Sequence, residues 1–224
     1  FRSAASLLTA LAKLPVQPVS AEDMAVYVRE RKPGVILIGS HVAKTSAQLA
    51  YLREHTDVVP VCVDVEQLNV SNTPEWSEHA AKFADTILAQ IDTAHARGKT
   101  VAIYTSREEL QFPSQRERLA FGERLSAFLM DLVRRLPESI GFLISKGGIT
   151  SNDVLSTGLK LKQSRVLGQI LIGCSVIRCP SDHERYPQLP VVIFPGNVGG
   201  EAALAQVYGI LTAQRERQVI YQTA

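Results

Sequence analysis

The chain has 224 residues, of which 46% are hydrophobic, and this is enough to bury one large core or two small ones. The formal net charge is only +2 and the basic residues are scattered, so the composition argues against a nucleic-acid-binding protein. No apolar run approaches the roughly 20 residues that a membrane-spanning helix needs, and the first residues lack the pattern of a signal peptide.

The first residues are more typical of the interior of a protein than of its beginning. The chain opens on Phe1 instead of Met, and Pro15, Pro18 and Ser20 lie in a stretch with the composition of a linker. We therefore expect residues 1–19 to be the end of an upstream domain together with a linker. Residues 20–224 are then expected to form one further domain.

Segments with helical periodicity alternate with short apolar runs along this domain. Ser20 is a suitable N-cap for the first helix, and Gly98 is a suitable end for the third. Apolar residues at helical spacing predict helices over 21–31, 45–54, 74–97, 114–136, 154–158 and 201–211. Continuous apolar runs predict strands over 35–38, 58–63, 101–104, 140–144 and 189–194.

Strands that alternate with helices of this length predict an α/β fold of three layers, α/β/α, with a mostly parallel sheet. Pro60 places the second strand at an edge of the sheet, or else marks the start of that strand. Residues 159–178 are rich in Val, Ile and Leu and are interrupted by Gly168 and Gly173, which indicates two or three short strands. These strands would add antiparallel pairing at one edge and make the sheet mixed.

A glycine turn follows the strand predicted over 140–144. Gly147 and Gly148 lie between this strand and a helical segment, and Thr150 supplies a hydroxyl group. Glycines at a strand-to-helix turn expose backbone N–H groups to an anion, and the helix N-terminus adds a partial positive charge. The turn therefore predicts a phosphate site, although a plain tight turn capped by Ser151 or Asn152 would also explain these residues.

A second glycine turn, Pro195-Gly196-Asn197-Val198-Gly199-Gly200, follows the last strand. Three glycines in five residues exceed what a single turn requires, so a ligand that approaches the backbone closely would explain the surplus. The alternative is that several positions need positive φ angles. Two such turns at strand ends in one α/β domain would form the edge at which ligands usually bind.

A third strand-to-helix turn begins at Gly39. Ser40 could contact a base, ribose or phosphate group, but Ser40 or Thr45 could equally cap the next helix. Lys44 could neutralise phosphate or remain solvated. Asp153 could hold Mg²⁺ through a water molecule, and we expect no side chain to ligate a metal directly.

Several other motifs are excluded by spacing. Lys146 precedes the glycines, whereas a Walker loop places its lysine after them, and no Gly-x-Gly-x-x-Gly or Gly-x-Ser-x-Gly sequence is present. The five histidines lack the spacing of metal ligands. The three cysteines, Cys62, Cys174 and Cys179, fit buried thiols in a reducing cytoplasm better than a disulfide framework.

Several stretches, in order, resemble the C-terminal nucleotide-binding domain of the four-carbon acid sugar kinase family. They are 35–40 with the following Thr45 and Gln48, 146–154, 168–170 and 194–199. Residues 1–6 look like the end of the N-terminal substrate domain of that family. The resemblance spans almost the whole chain.

The resemblance implies ATP-dependent phosphorylation of a four-carbon sugar acid such as threonate, erythronate or 3-oxo-tetronate, with Mg²⁺ as a further cofactor. It implies an N-terminal domain in the same polypeptide that holds the acid and the catalytic groups, which leaves the catalytic residues unknown. A homodimer is compatible with it, whereas nucleic acid and membrane partners are not expected. By position, the implied ATP contacts are Ser40, Gly147, Gly148, Ile149, Thr150, Gly196, Asn197 and Gly199.

The sequence departs from the family pattern at three places. Ile149 stands where many members have an acidic residue, so only a backbone contact is expected there. Val42 stands where a serine is common. The Asp-Asp-x-Thr-Gly region of the N-terminal domain is absent from these residues.

Two other functions remain open. A non-catalytic module that senses a nucleotide or a phosphorylated metabolite would use the same turns. A Rossmann-type oxidoreductase is disfavoured, because no early glycine fingerprint is followed by an acidic ribose ligand at a distance of about 20 residues.

Overall fold

A computed structural model describes residues 5–13, 15–69, 74–108 and 110–222. The strands of these residues form one sheet with the order β2-β3-β1-β4-β7-β6-β5. They are β1 Val35–Ile38, β2 Val59–Val63, β3 Val101–Thr105, β4 Leu143–Lys146, β5 Arg165–Leu171, β6 Cys174–Arg178 and β7 Pro190–Phe194. Strands β2, β3, β1, β4 and β7 pair in parallel, and β6 and β5 continue the sheet in antiparallel pairing. The prediction of a mostly parallel, mixed sheet is confirmed.

The helices are α1 Ala5–Ala12, α2 Ala43–His55, α3 Pro74–Ala96, α4 Gln115–Arg135, α5 Gly148–Asp153 and α6 Ala203–Gln222. Helices α3 and α4 cover one face of the sheet, and α2 and α6 cover the other. Alternate residues of β1 point to opposite faces. Leu37 packs in one core with residues of α3 and α4, and Ile36 packs in the other with residues of α2 and α6. All four residues of β1 are buried, and the three-layer α/β/α architecture is confirmed.

The ends of two helices follow directly from their sequences. Ser114 caps α4, since its Oγ accepts a hydrogen bond of 3.2 Å from the backbone N–H of Glu117. Gly98 ends the turn after α3 with a φ of +73°, a conformation that a glycine adopts without strain. Among the described residues, no helix is long and apolar enough to cross a membrane.

The β5–β6 hairpin accounts for the apolar segment 159–178. Its two strands pair antiparallel around Gly173, which has a φ of +83°, so the predicted edge strands are confirmed. At the opposite edge of the sheet, β2 is the outermost strand, as Pro60 predicted.

The helix predicted over 21–31 is wrong. The segment instead forms two 3₁₀ turns, Met24–Tyr27 and Arg29–Arg31. Met24 is fully buried, and the backbone N–H of Arg29 donates to the carbonyl oxygen of Gly141 at 3.0 Å. These tertiary contacts override the local helical periodicity.

Three other predicted boundaries differ from those observed. Strand β4 begins at Leu143, so residues 140–142 lie before it. The N–H of Gly141 donates to the carbonyl oxygen of Pro33 at 2.8 Å, and the carbonyl oxygen of Phe142 accepts from the N–H of Val35 at 3.0 Å. Residues 154–158 form a π-helical turn that continues α5. The last helix begins at Ala203 and extends to Gln222, beyond the predicted end.

The segment assigned to an upstream domain and linker is described except for residues 1–4 and Leu14. Within it, Gln17 contacts the edge strand β5. Its Oε1 accepts from the N–H of Gln169 at 2.8 Å, and its Nε2 donates to the carbonyl oxygen of the same residue at 3.1 Å. Gln17 therefore lies against β5 at the edge of the sheet, and the division of the chain at residue 20 stays a prediction.

Candidate functional site

The three glycine-containing turns meet at one edge of the sheet. Strands β1, β4 and β7 are adjacent and parallel, and Ile38, Lys146 and Phe194 lie at the same level. The chain therefore leaves all three strands at the carboxyl edge, which is where ligands bind in open α/β sheets.

Small residues let the three turns approach each other closely. Gly147 has a φ of +126°, and a Cβ added to it would lie 3.2 Å from the Cβ of Ser40. A Cβ on Gly196 would lie 3.1 Å from Ser40 Oγ, and a Cβ on Gly39 would lie 2.4 Å from Thr150 Oγ1. Ser40, Gly147, Thr150 and Gly196 are thus brought together as the sequence predicted.

Two fully buried polar residues of α2 hold the turn after β7. Thr45 Oγ1 lies 3.2 Å from both Ser40 Oγ and the carbonyl oxygen of Gly196. Gln48 Nε2 donates hydrogen bonds of 2.9 Å to the carbonyl oxygens of Val198 and Gly200. These contacts fix the first and the last parts of the turn against the same helix.

Lys146 is a fully buried cation at the end of β4. Its Nζ donates to the carbonyl oxygens of Pro195 at 2.6 Å and Gly196 at 3.2 Å, and it lies 4.2 Å from the ring centre of Phe194. Burial lowers the pKa of Lys146 to about 8.

Two further cations border the turns. Lys44 donates to the carbonyl oxygen of Asn197 at 3.2 Å, and Arg107 donates to the carbonyl oxygen of Ser40 and to Ser46 Oγ, both at 2.8 Å. Burial lowers the pKa of Arg107. In the described part of the chain, Lys44, Arg107 and Lys146 form no ion pair with a carboxylate.

The other predicted contact residues lie at this edge with different degrees of access. Gly148, Ile149 and Asn197 are exposed, and nothing lies within 4 Å of a Cβ added to Gly148. The left-handed backbone of the first turn is at Gly147 and not at Gly148. Gly199 has a φ of +77°, and its added Cβ would lie 2.4 Å from the Cβ of Ala203, so this glycine is required by the start of α6.

Two polar residues of α5, Ser151 and Asp153, bond to other parts of the protein, whereas Asn152 is exposed. Ser151 Oγ donates to the carbonyl oxygen of Ser145 at 2.9 Å, and Gly147 occupies the N-cap position, so neither Ser151 nor Asn152 caps this helix. Asp153 accepts a hydrogen bond of 2.5 Å from Ser126 of α4. Its role toward Mg²⁺ stays a prediction, and the described residues contain no group of three His, Cys, Asp or Glu side chains that could hold a metal.

The structure also shows the surroundings of His41 and of the three cysteines. His41 is exposed at the end of β3, with Nε2 3.2 Å from the carbonyl oxygen of Ser106. Cys174 and Cys179 are buried, which raises their thiol pKa values to about 11 and about 12, whereas Cys62 is exposed. The prediction of buried thiols is therefore correct for two of the three.

Sequence reasoning did not assign roles to Arg107 and Lys146. Arg107 is distant in sequence from every glycine turn, and only the sheet order brings it to Ser40. Lys146 had a usable signal, since a lysine at the end of an otherwise buried strand is expected to need an internal partner.

Comparisons with known proteins agree with this architecture. The family model for the nucleotide-binding C-terminal domain matches residues 35–204. A domain of unknown function (DUF1537) from Bordetella bronchiseptica, solved with bound citrate as a domain-swapped dimer, has a TM-score of 0.60 at 15% identity. The match covers 81% of this chain and 41% of that chain. A second crystal form of the same protein has a TM-score of 0.56 at 16% identity, and the match covers 86% of this chain and 41% of that chain.

The putative tRNA synthase from Salmonella typhimurium LT2 also shares the fold, with a TM-score of 0.60 at 21% identity over 94% of this chain and 44% of that chain. This chain thus spans less than half of the length of these solved structures. No curated protein matches it. Since the family model covers most of the sequence and the fold and the turns agree with it, the chain belongs to the family of nucleotide-binding C-terminal domains, as its resemblance to the four-carbon acid sugar kinases indicated.

Proposed function

We propose that this domain binds ATP with Mg²⁺ and supplies the phosphoryl donor of a kinase that acts on a four-carbon sugar acid. The observation that carries the proposal is the meeting of the turns after β1, β4 and β7, bordered by three cations that form no ion pair with a carboxylate of the described residues. An edge with exposed glycine backbone and uncompensated positive charge suits a polyphosphate.

The residues of the turns have separate roles in this proposal. The backbone N–H groups of Gly148 and 196–199 donate to phosphate oxygens, while Ser40 and Thr150 offer hydroxyl groups. The N–H of Gly147 already donates to the carbonyl oxygen of Phe194 at 2.8 Å, so Gly147 shapes the turn and gives no N–H to the ligand. Lys44 and Arg107 offset phosphate charge at the rim. The exposed Ile149, with 81% of its surface accessible, contributes through its backbone.

Mg²⁺ fits this edge as an ion held by the nucleotide. The described residues offer no carboxylate cluster, and the carboxylate of Asp153 is already bonded to Ser126. Mg²⁺ retains several waters and binds to substrate phosphates through few protein ligands, which suits such a site. When bound, the ion would offset charge on the phosphates.

Phosphoryl transfer depends mainly on positioning and on charge stabilisation. The turns hold one reactant, and the resemblance assigns the sugar acid and the general base to an N-terminal domain. A site divided between two domains that close on each other would also exclude water. His41 follows Ser40 in the sequence, and its Nε2 lies 3.2 Å from Thr105 Oγ1 at the end of β3.

Titration calorimetry of the 224-residue chain with ATP-Mg²⁺ and with ADP-Mg²⁺ tests nucleotide binding. We expect a single site of modest affinity, since one face of the ligand remains in water. AMP, which lacks the phosphates beyond the first, is the matched control and should bind more weakly. Absence of both heat and a thermal shift at millimolar ATP and ADP would refute the proposal.

A further inference from the structure

Within the described ranges of the chain, the buried ammonium group of Lys146 has no anionic partner. A lysine is almost never fully buried unless it is paired, because removing the charge from water is costly. Here the side chain is 0% exposed, and its acceptors are two backbone carbonyl oxygens. Of its three N–H groups, two therefore have acceptors within the described residues.

The groups packed around this ammonium do not supply the missing negative charge. Cys174 on β6 is a thiol whose pKa is raised to about 11, so it is neutral in the physiological range. Lys44 on α2 adds a second positive charge that lowers the pKa of Lys146 further. The element β7 contributes the ring of Phe194, and no described carboxylate pairs with the ammonium.

The two carbonyl contacts determine where the neighbouring N–H groups point. In a trans peptide unit, the C=O and the following N–H point in opposite directions, and the described residues contain no cis peptide bond. Because the carbonyl oxygens of Pro195 and Gly196 point at Lys146 Nζ, the N–H groups of Gly196 and Asn197 point away from it. Both N–H groups belong to the turn that the proposed function assigns to phosphate.

We propose that Lys146 is the positioning residue of this anion site: it orients the N–H groups of Gly196 and Asn197 toward the ligand, and its own buried charge is balanced only when an anionic phosphate binds. This inference rests on the proposed nucleotide binding and adds a consequence to it. Lys146 is partly deprotonated in the free protein near pH 8, and a bound anion favours its charged form. Nucleotide binding should therefore draw a proton from solution.

Calorimetric titration with ADP-Mg²⁺ at pH 8.0, in two buffers of different ionisation enthalpy, measures this proton. The terminal phosphate of ADP has already lost its second proton at pH 8.0, since phosphate groups lose this proton at about pH 6. We expect uptake of about half a proton per nucleotide, because the pKa of Lys146 is about 8 and half of the side chains are neutral before binding. The affinity should fall as the pH is raised from 8 to 9.

Three variants separate positioning from simple charge. Lys146→Met has a similar length without the charge, so it should take up no proton and should bind ADP at least about tenfold more weakly. Lys146→Arg stays charged at every pH used, so it should also take up no proton, and its affinity should not vary between pH 8 and 9. Lys44→Met removes an exposed charge at the rim, so it should weaken binding. Because the charge of Lys44 also lowers the pKa of Lys146, the variant should take up less of a proton at pH 8 than the wild type, but the uptake should not disappear.

The outcomes are distinct. Uptake in the wild type and in Lys44→Met, with none in the Lys146 variants, supports the inference. If the wild type binds ADP without taking up a proton, or if Lys146→Met retains the uptake, the inference fails while nucleotide binding stands. If circular dichroism shows that the Lys146 variants do not fold, the number of protons that the wild type takes up per nucleotide still tests the inference. If the wild type binds no nucleotide, both the inference and the proposed function fail.

Discussion

Gly39 and Thr150 meet where the ends of β1 and β4 come together, and a Cβ added to Gly39 would lie 2.4 Å from Thr150 Oγ1. The two residues belong to different turns of the candidate site, and the helices α2, α3 and α4 lie between them in the sequence. Their contact leaves no room for a side chain on Gly39. The contact therefore links the position of the turn after β1 to that of the turn after β4.

We expect Gly39→Ala to destabilise the protein by about 1–3 kcal/mol, as is typical when a methyl group is forced into packed structure. Adding Thr150→Ala removes the atoms that the new methyl group meets, so the double variant should recover part of the lost stability. Urea unfolding of the two single variants and the double variant measures this coupling. Additive losses in the double variant would show that the two residues do not limit each other.

Gly148→Val should weaken ADP binding by more than tenfold and leave the fold intact. A side chain has open space at Gly148 and no left-handed backbone to oppose it, so the effect falls on the approach of the ligand to the backbone. Gly122→Val is the matched control, because Gly122 on α4 is equally open and lies outside the glycine turns. Circular dichroism checks that both variants fold, and calorimetry measures their affinity for ADP. An unchanged affinity in Gly148→Val would show that the turn has only a structural role.

Gln48→Leu should destabilise the protein by about 1–3 kcal/mol, since two carbonyl oxygens lose their donor at about 0.5–1.5 kcal/mol each. Hydrogen exchange should rise first in residues 196–200, whose carbonyl groups at Val198 and Gly200 are held by Gln48. Gln90→Leu, at an exposed position of α3, is the control and should change neither property. Unaltered exchange in this turn would argue against a holding role for Gln48.

The stability of the protein should depend on pH through Lys146. Its pKa is about 8 in the folded protein and 10.5 without the fold, so between these values the unfolded chain binds more protons and stability rises with pH. Deprotonation of this residue should raise the free energy of unfolding by about 1 kcal/mol between pH 8 and 9.

Above about pH 9 the raised pKa values of Cys174 and Cys179 act in the opposite direction, because the unfolded thiols lose protons that the folded ones keep. The difference in free energy of unfolding between wild type and Lys146→Met isolates the lysine. This difference should shift in favour of the wild type from pH 8 to 9, and a constant difference would contradict the lowered pKa.

We expect the 224-residue chain alone to bind ATP without phosphorylating threonate, erythronate or 3-oxo-tetronate. The reason is that catalysis by proximity needs both reactants held, and the turns hold one of them. Kinase assays measure the phosphorylation of the three acids. They use the chain alone and the chain together with an N-terminal substrate domain of the four-carbon acid sugar kinase family. Turnover by the isolated chain would refute the divided site, and inactivity in every combination would favour the sensor alternative.

The sequence by itself determined the layers of the fold and the position of the candidate site. The apolar runs that became β1, β3 and β7 are buried on both faces, and the long amphipathic segments became α3 and α4, because burial periodicity is a local property of the chain. The glycine turns could be located because they directly follow such strands.

Only the tertiary structure decided which polar groups meet at that site. The order of the strands places β4 between β1 and β7, and this brings Gly147 and Gly196 to Ser40. It also carries Arg107 to Ser40 in the turn after β1 and directs the carbonyl oxygens of Pro195 and Gly196 at Lys146. These contacts join residues 49 to 156 positions apart, so no local pattern encodes them. The same long-range packing turned the helix predicted over 21–31 into two 3₁₀ turns.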